Sequence, residues 1–341
     1  MDVLHLFGST HDAFYYDLSR MYAETALSPA GTRARYAAVA PDGHWRFGPA
    51  PDALGAPMAL PAALAEIGRP DLVVPHMFCR RGMTAYRALV EEVLGLPLVG
   101  AAAGTAALAQ SKTRTRDVVA AAGVRVSAAE RLSPGALPGL APPYVVKPDS
   151  EDNSLGISVV HDSAEAAAAV AHARRFDAEV FAEAFVPGRE IRVAVVELDG
   201  ETLVPAFLEY PVSAARPIRE VADKLEPGDG EGRAGLRQSR RADAQPVCPA
   251  PVDPDLGRAL GGAARAAHRA LGARHYSLFD FRIHAETGEP HLLEAGLFWS
   301  FSALSAISKM LAGAGHDPTE ITGRLWRDAA GQSTRPRSVA E

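Results

Sequence analysis

Cysteine is almost absent from this sequence, and so are several features that mark other classes of protein. Only Cys79 and Cys248 occur, and two isolated cysteines make neither a disulfide framework nor a zinc site. The net charge of −6 argues against a nucleic-acid partner, because phosphate contacts need clustered lysine and arginine. No apolar run is long enough to span a bilayer, and the N-terminus lacks the basic start and the cleavage site of a signal peptide. We therefore expect a cytoplasmic protein without a membrane partner.

The length and the apolar pattern predict an α/β protein. The chain has 341 residues, of which 48% are hydrophobic and 22% charged, which is typical of a soluble protein with two or three domains. Short apolar runs at residues 3–7, 71–74 and 96–99 alternate with helical patterns such as residues 84–94. Such runs indicate a parallel sheet with helices on its faces. We therefore predict an open α/β domain over residues 1–105 whose strand ends carry ligand-binding loops.

The remainder of the chain also alternates between helical and strand patterns. Helices are predicted at residues 106–123, 164–174 and 254–271. Strands are predicted at residues 144–147, 157–161, 178–186, 189–198, 202–208, 277–283 and 291–294. Residues 226–252 are rich in glycine, proline, arginine and aspartate, which predicts a mobile loop, with local disorder as the alternative. The polar tail at residues 331–341 is expected to be frayed.

The first candidate site segment is a strand followed by a lysine and a small polar loop. It covers residues 144–160 and reads YVVKPDSEDNSLGISVV. Lys147 places a positive charge at the end of the strand, and the following loop can offer backbone N–H groups and the Ser154 hydroxyl to a triphosphate. The segment predicts a phosphate-binding flap, and an ordinary hairpin with a solvated lysine is the alternative.

Pairs of carboxylates mark two further segments. Glu183 and Glu190 flank a Pro-Gly turn, where they could accept bonds from an adenine amino group and ribose hydroxyls; two surface glutamates are the alternative. Asp280 and Glu294 lie on adjacent predicted strands in apolar surroundings, where an unpaired carboxylate is costly. Two such acids on one face can hold Mg²⁺ against phosphate oxygens. The two pairs together predict a magnesium–nucleotide site.

These three segments follow one another in a fixed order: lysine and flap, first pair of acids, second pair of acids. In this order they resemble the ATP-grasp superfamily, and within it the D-alanine–D-alanine ligase group, over roughly residues 1–320. The resemblance implies three α/β domains, with ATP and one or two Mg²⁺ ions bound between the central and C-terminal domains. We accordingly place the N-terminal domain at residues 1–105, the central domain at 106–186 and the C-terminal domain at 187–330.

The resemblance also implies roles for individual residues. Lys112, in QSKTRTRDVVAAAGV, and Lys147 match two phosphate-binding lysines of the family, and Lys224 matches a third; a solvated lysine is the alternative for Lys224. Asp280 and Glu294 match the metal-binding acids. The residues that match the nucleotide and flap positions are Glu151, Ser154, Glu183, Ala184, Val186 and Glu190. Catalysis would then rest on positioning and charge neutralisation, with the flap closing to exclude water.

Two departures from the dipeptide ligases lie close to the predicted metal site. Gly296 stands where those enzymes place an asparagine that binds metal, and Leu278 stands where they carry an arginine that holds the acyl intermediate. Arg282 lies nearby and could act as a substitute with a different reach. The candidate catalytic residues are thus Lys147, Ser154, Lys224 and Arg282. The nucleotide half of the site is retained and the substrate half is altered.

The altered half resembles a different group of ligases, those of mycosporine-like amino acid biosynthesis. The similarity lies in the segments VPHMFCRRGMTAYRALVEEVLGLPLVG, YSLFDFRIH and LLEAGLFWSFSALSAISKM. In that family ATP activates mycosporine-glycine, and an amino acid such as serine or threonine then forms an imine. The resemblance implies the same reaction here. A D-alanine–D-alanine or other dipeptide ligase, and a non-catalytic nucleotide-binding regulator, are the alternatives.

Substrate-binding residues are predicted from their positions at strand and helix ends. Hydroxyl groups just before a predicted helix make a suitable anion site, with an ordinary serine cap as the alternative. These hydroxyls belong to Ser300, Ser302 and Ser305. In the first domain, Arg80 or Arg81 could bind a substrate carboxylate. The candidates from that domain are His5, Ser9, His76, Arg80 and Arg81. We expect amino acids as small-molecule partners, and a homodimer as in the relatives.

Overall fold

A four-stranded sheet forms the N-terminal part of the protein, in a computed structural model that describes residues 1–152, 154–213, 215–227 and 235–333. Its elements are β1 (Asp2–Gly8), α1 (Ala13–Glu24), β2 (Arg33–Val39), β3 (Trp45–Gly48), α2 (Leu60–Ile67) and β4 (Leu72–Pro75). The strand order is β3-β2-β1-β4, and β1 runs parallel to both of its neighbours. The predicted strands at residues 3–7 and 71–74 are thus confirmed as β1 and β4.

Two elements of this region differ from the prediction. Residues 96–99 do not form a regular strand but make one parallel bridge, between Leu98 and Val73. Pro97 has no N–H with which to extend the ladder. The helix predicted at residues 84–94 consists of two π-helical turns, Gly82–Tyr86 and Leu89–Val93.

The helix predicted at residues 106–123 is broken into α3 (Ala103–Gln110) and α4 (Lys112–Ala121). Ser111 makes the break, because its Oγ accepts the N–H of Arg114 at 3.2 Å and caps α4. The same hydroxyl donates to Asp149 Oδ2 at 2.6 Å. The cap therefore places Lys112 at the first position of α4, beside the loop that follows the flap strand.

The central sheet is antiparallel and has the strand order β5-β8-β6-β7. Its elements are β5 (Ala129–Leu132), β6 (Tyr144–Pro148), β7 (Ser158–Val160), α5 (Ala166–Ala173) and β8 (Val180–Ala184). The side chain of Asp162 caps the turn that leads into α5, as its position before an alanine-rich run predicts. The flap strand β6 lies between β8 and β7, so Lys147 emerges from the middle of a sheet.

The C-terminal sheet has the order β10-β9-β14-β15, with β11 paired to another part of β9. In chain order the elements are β9 (Gly188–Leu198), β10 (Glu201–Leu203), β11 (Leu208–Tyr210), α6 (Val221–Lys224), β12 (Leu225–Pro227), β13 (Leu236–Gln238), α7 (Pro254–Ala270), β14 (Tyr276–His284), β15 (Pro290–Gly296), α8 (Ala306–Gly313) and α9 (Pro318–Ser333). Residues 226–252, predicted to be a mobile loop, contain the β12-β13 ribbon; residues 228–234 lie outside the described residues. Helix α9 runs into the predicted polar tail, and residues 334–341 also lie outside them.

A shared core joins the N-terminal and C-terminal sheets. Trp299, Phe301 and Trp326 are at most 1% exposed and pack with Val74 and Tyr276 in one cluster. This burial fixes the two sheets against each other and leaves a cleft toward the central sheet. Within the described ranges, no helix is both long and apolar enough to cross a membrane.

Candidate active site

A cavity of about 580 Å³ lies where the three sheets meet. Many of the residues predicted from the sequence line it: Arg80, Arg81, Lys112, Glu151, Lys224, Asp280, Glu294, Ser300 and Ser305. They come from all three parts of the chain, so their proximity is a product of the fold. The arrangement concentrates cations and carboxylates around one space that is large enough for a small ligand.

Lysine is rare in this sequence, and its few copies gather at the cavity. The chain has four lysines, of which Lys112, Lys224 and Lys309 line the cavity. The fourth, Lys147, lies at the end of β6, three residues before the cavity-lining Ser150. Lys309 was not singled out from the sequence, although the scarcity of lysine is a signal that could have found it. Ammonium groups are compact point charges suited to phosphate oxygens.

Lys112 is held at the mouth of the flap. Its side chain is 7% exposed, and its ammonium donates to the backbone carbonyl of Glu151. The same ammonium lies 3.9 Å from Glu294 Oε2 on β15. The backbone N–H of Lys112 donates to the carbonyl of Asp149 at 3.0 Å. This lysine therefore connects the flap, helix α4 and the C-terminal sheet.

Lys147 forms a buried ion-pair group with Glu183 and Arg116. Glu183 is 2% exposed, and its carboxylate accepts from the Lys147 ammonium and from Arg116 Nη1, the latter at 2.6 Å. The N–H of Ala184 bonds to a backbone carbonyl within the central domain, and Val186 is buried. In this structure the Glu183 carboxylate is thus taken up by Lys147 and Arg116, and the Ala184 N–H by a backbone carbonyl. The contacts of Glu183, Ala184 and Val186 with a nucleotide stay predictions. Arg116 was missed, although it lies one helical turn after Lys112.

Glu190 and Arg282 are bonded to each other and do not line the cavity. Arg282 Nη2 donates to Glu190 Oε2 at 3.1 Å, and its guanidinium also donates to the carbonyls of Gly188 and Pro217. Arg219 Nε donates to Glu190 Oε1 at 3.0 Å. The guanidinium of Arg282 is thus bonded to the start of β9, because the pairing of β14 with β9 sets Arg282 directly opposite Glu190. The predicted contact of Arg282 with the acyl intermediate stays a prediction.

The predicted metal acids, Asp280 and Glu294, lie opposite each other on β14 and β15. Arg192 of β9 lies opposite Asp280 on its other side and holds both of its oxygens, with Nε–Oδ1 at 2.6 Å and Nη2–Oδ2 at 2.5 Å. Burial is the largest influence on the pKa of Asp280 and raises it, but the charge and hydrogen bonds of Arg192, together with the charges of Arg219 and Lys224, outweigh burial and lower this pKa below its ordinary value. Asp280 therefore stays ionised in spite of its burial.

These two acids fit a magnesium ion that takes the rest of its ligands from a nucleotide. A carboxylate has about four lone-pair sites and the Arg192 bonds use two, which leaves Asp280 able to bind a cation. In the described part of the chain no cluster of three or more His, Cys, Asp or Glu could hold a metal. Mg²⁺ commonly binds through one or two carboxylates together with substrate phosphates. Asp280 and Glu294 would hold the ion, and the Gly296 position contributes no third side chain.

Lys224 connects the flap to the loop of the C-terminal domain. Its ammonium donates to Ser154 Oγ at 3.0 Å, which places α6 over the flap. Burial, together with the Arg219 charge, lowers the pKa of Lys224 to about 8. Glu294 opposes this shift. An anion bound in the cavity would therefore stabilise the charged form of Lys224.

Four of the residues predicted to bind substrate lie in the core. His5 Nδ1 and His76 Nε2 are 2.9 Å apart, and burial lowers the pKa of His5 to about 3 and that of His76 well below its ordinary value. Ser9 is fully buried, and its hydroxyl accepts the N–H of His11 at 2.9 Å. Ser302 Oγ is 2.6 Å from a threonine hydroxyl at the end of α1. These side chains have partners beneath the surface, which gives them a structural role in this fold; their contact with substrate stays a prediction.

Ser300 and Ser305, in contrast, reach the cavity wall. Ser305 caps α8, accepting the N–H of Ser308 at 3.2 Å, and also accepts from Trp299 Nε1 at 2.9 Å. Ser300 is 3% exposed, and its hydroxyl has no hydrogen-bond partner among the described residues. A buried hydroxyl without a partner is costly. Ser300 is therefore available to a ligand, while Ser305 serves first as a cap.

An aromatic wall lines the cavity on the side of the N-terminal domain. Phe78 lies between Tyr22 and Phe298, with ring centroids at 5.3 and 5.1 Å respectively. Tyr15 and Leu18 of α1 continue the wall. These rings come from segments that are distant along the chain, so the fold alone brings them together. The wall offers an apolar surface next to the cations of Arg80 and Arg81.

The fold and the cavity together define the ATP-grasp class of enzyme, in which a nucleotide lies between two antiparallel sheets. The solved structure of the VanG D-Ala:D-Ser ligase from Enterococcus faecalis shares this fold with a TM-score of 0.75 over 96% of this chain and 99% of that structure, at 21% identity. The sequence profile of the family described as D-ala D-ala ligase C-terminus matches residues 135–215.

Sequence comparison then identifies the family. The D-alanine–D-alanine ligase of Geotalea uraniireducens is 30% identical over 247 residues, which cover 70% of this chain and 72% of that protein. The ligase of the same name from Geobacter sulfurreducens is 32% identical over 225 residues, and this chain spans 64% of its length. The chain belongs to the D-alanine–D-alanine ligase family, whose members are ADP-forming ATP-grasp ligases.

Replacing Glu183 with glutamine tests the buried ion-pair group. The change leaves Lys147 and Arg116 buried without their anion, so we expect a loss of ~3–5 kcal/mol in the free energy of unfolding, measured by denaturant titration. Glu209→Gln is the matched control, because Glu209 pairs with Arg189 at a partly exposed site. That pair should contribute at most ~1 kcal/mol. Equal losses in the two variants would contradict the assignment.

The pKa of Lys224 predicts how ATP affinity depends on pH. If the charged ammonium contacts phosphate as predicted, that contact is lost as pH rises through about 8, and the KM for ATP should rise ~tenfold between about pH 7 and pH 9. In Lys224→Arg the guanidinium stays charged over this range, and the profile should be flatter. A wild-type KM that is constant across this range would show that Lys224 does not contact the nucleotide.

Proposed function

We propose that this chain is an ATP-dependent, ADP-forming ligase that joins two small acids by the D-alanine–D-alanine type of reaction. The observation that carries the proposal is the convergence of Lys112, Lys224, Asp280 and Glu294 on one cavity, although they are distant along the chain. The names of the relatives support D-alanine as a substrate. The D-Ala:D-Ser ligase among the structural neighbours supports variation in the second substrate.

The proposed reaction has two steps. The bond between the γ-phosphorus and the ADP oxygen breaks as a carboxylate oxygen of the first substrate bonds to that phosphorus, giving an acyl phosphate. The amine of the second substrate then attacks the carbonyl carbon, inorganic phosphate leaves, and the amine loses a proton to solvent. Lys112, Lys147 and Lys224 neutralise phosphate charge, and Mg²⁺ at Asp280 and Glu294 would add to that neutralisation.

The contact between the flap and α6 gives the site a way to exclude water. The Lys224 ammonium, at the end of α6, donates to Ser154 Oγ in the turn after β6 at 3.0 Å, so the flap and α6 meet beside the cavity. An acyl phosphate is readily hydrolysed, so a covered site protects the intermediate. The proposed chemistry therefore depends on this closure as well as on the cations.

A second candidate keeps the phosphoryl transfer and changes the substrate, to mycosporine-glycine and an amino acid that forms an imine. The aromatic wall of Tyr15, Tyr22, Phe78 and Phe298 favours it, because a ring substrate would bury apolar area there. Arg80 and Arg81 lie on the same wall and could bind its carboxylate. Incubation with mycosporine-glycine, serine, ATP and magnesium should then shift the absorbance to longer wavelength.

ADP release that depends on an amino acid tests the proposed function. We expect D-alanine, alone or with D-serine, to raise ADP release at least ~tenfold over ATP and magnesium alone, with a dipeptide detected by mass spectrometry. Lys112→Met should lower kcat ~100-fold or more, because it removes a phosphate-binding charge. Arg258→Met, at an exposed site on α7, is the control and should retain full activity.

Two other outcomes would replace this proposal. If ATP binds but no amino acid or amino-acid conjugate raises ADP release, the chain is a nucleotide-binding regulator. If only mycosporine-glycine raises ADP release, the second candidate is correct and the D-alanine reaction is excluded.

A further inference from the structure

Arg192 is a partly buried arginine in the cavity wall that the proposed reaction has not yet used. Among the described residues its guanidinium makes two side-chain hydrogen bonds, both to Asp280. Its side chain is 22% exposed and lines the cavity. A guanidinium has five N–H donors in one plane. The bonds to Asp280 use two of them, so about three remain for a ligand.

The position of Arg192 follows from the pairing of three strands. Arg192, Asp280 and Glu294 form one row across β9, β14 and β15, because Asp280 lies opposite each of the others. Directly opposed residues in a sheet project from the same face. Arg192 therefore faces the same space as the two proposed metal acids, with a fixed orientation.

Aromatic packing restrains the guanidinium further. Its Cζ lies 5.2 Å from the centroid of the Tyr210 ring, and that of Arg219 lies 3.3 Å from the same centroid. Contacts of this kind are favourable for arginine. Asp280 and Tyr210 together hold Arg192 in one place, as a preorganised donor for developing negative charge requires.

The neighbouring strand lacks a cation at the equivalent place. Leu278 lines the cavity two residues before Asp280 on β14, and the resemblance to dipeptide ligases implies an arginine there. Leu278 lies opposite Ala194, which is two residues from Arg192 on β9. Diagonal neighbours in a sheet are about 7–8 Å apart, within reach of a long side chain.

We propose that Arg192 donates hydrogen bonds to the phosphoryl group as it passes from ATP to the first substrate, and so provides from β9 the guanidinium that β14 lacks. The inference rests on the proposed function. The phosphorus–oxygen bond to ADP breaks as the bond to the carboxylate forms, and Arg192 gains or loses no proton. Asp280 orients the guanidinium through its two bonds.

Removal of the guanidinium should slow the chemical step and not ATP binding. We expect Arg192→Met to lower kcat ~100-fold, in the range found for loss of one preorganised donor, while the KM for ATP changes less than ~3-fold. Arg192→Lys, which keeps a charge without the planar donors, should be intermediate. The matched control is Arg189→Met on the same strand, since Arg189 makes the same two-bond pair with Glu209, at 2.7 Å, outside the cavity.

Placing the guanidinium on β14 instead of β9 distinguishes a loss of catalysis from a loss of stability. Arg192→Leu combined with Leu278→Arg should recover at least ~tenfold of the kcat lost in Arg192→Leu, because the cation again faces the phosphoryl group. If Arg192→Met does not fold, the double variant decides. A folded double variant with no recovery of kcat would overturn the inference.

The failure of this inference is distinct from the failure of the proposed function. A wild-type enzyme that ligates amino acids, with a folded Arg192→Met variant within ~3-fold of its kcat, overturns the role of Arg192 alone. A wild-type protein that releases no ADP with any substrate overturns the ligase assignment itself.

Discussion

The register of β14 between β9 and β15 is the constraint on which the site depends. It sets Arg192, Asp280 and Glu294 in one row across the sheet. Two residues further along β14, it sets Arg282 opposite Glu190. A slip of one residue would turn Asp280 and its neighbours to the other face of the sheet, into the apolar core formed by Phe279 and Phe281. Because that core is tightly buried, the register is strongly specified. Hydrophobic packing on one face of the sheet thus fixes the positions of the three charged side chains on the other face.

Asp149 gives the nucleotide side of the cavity a comparable rigidity. It lies two residues after Lys147, accepts the N–H of Thr113 at 2.8 Å and accepts the hydroxyl of Ser111 at 2.6 Å. The start of α4 is thereby attached to the end of the flap strand, so the positions of Lys112 and Lys147 are coupled. Two cations that must meet one polyphosphate gain from such coupling, since their spacing is set before the ligand binds.

The two halves of the cavity differ in chemistry. The nucleotide half consists of cations held by carboxylates, and the half toward α1 consists of aromatic rings with Arg80 and Arg81 at its edge. A family fold can keep the phosphoryl-transfer machinery and change its substrates through such a wall, because most of its rings come from the N-terminal part of the chain. The histidines His5 and His76 form a stacked pair in the core, with ring centroids 5.1 Å apart.

Local sequence patterns were enough to predict the α/β class, most of the strands and the charged residues with a fixed spacing. Lys147 and its flap, Asp280 and Glu294 lie within short segments whose apolar or polar neighbours mark them, whereas Lys112 was predicted only from the resemblance to the ATP-grasp superfamily. The ion pairs of Glu183 and Arg282 were not predicted, and Arg192, Arg116 and the aromatic wall were missed. Each of these depends on a partner from another strand or domain. Strand register and burial decide those partners, and both are properties of the packed chain and not of any one segment.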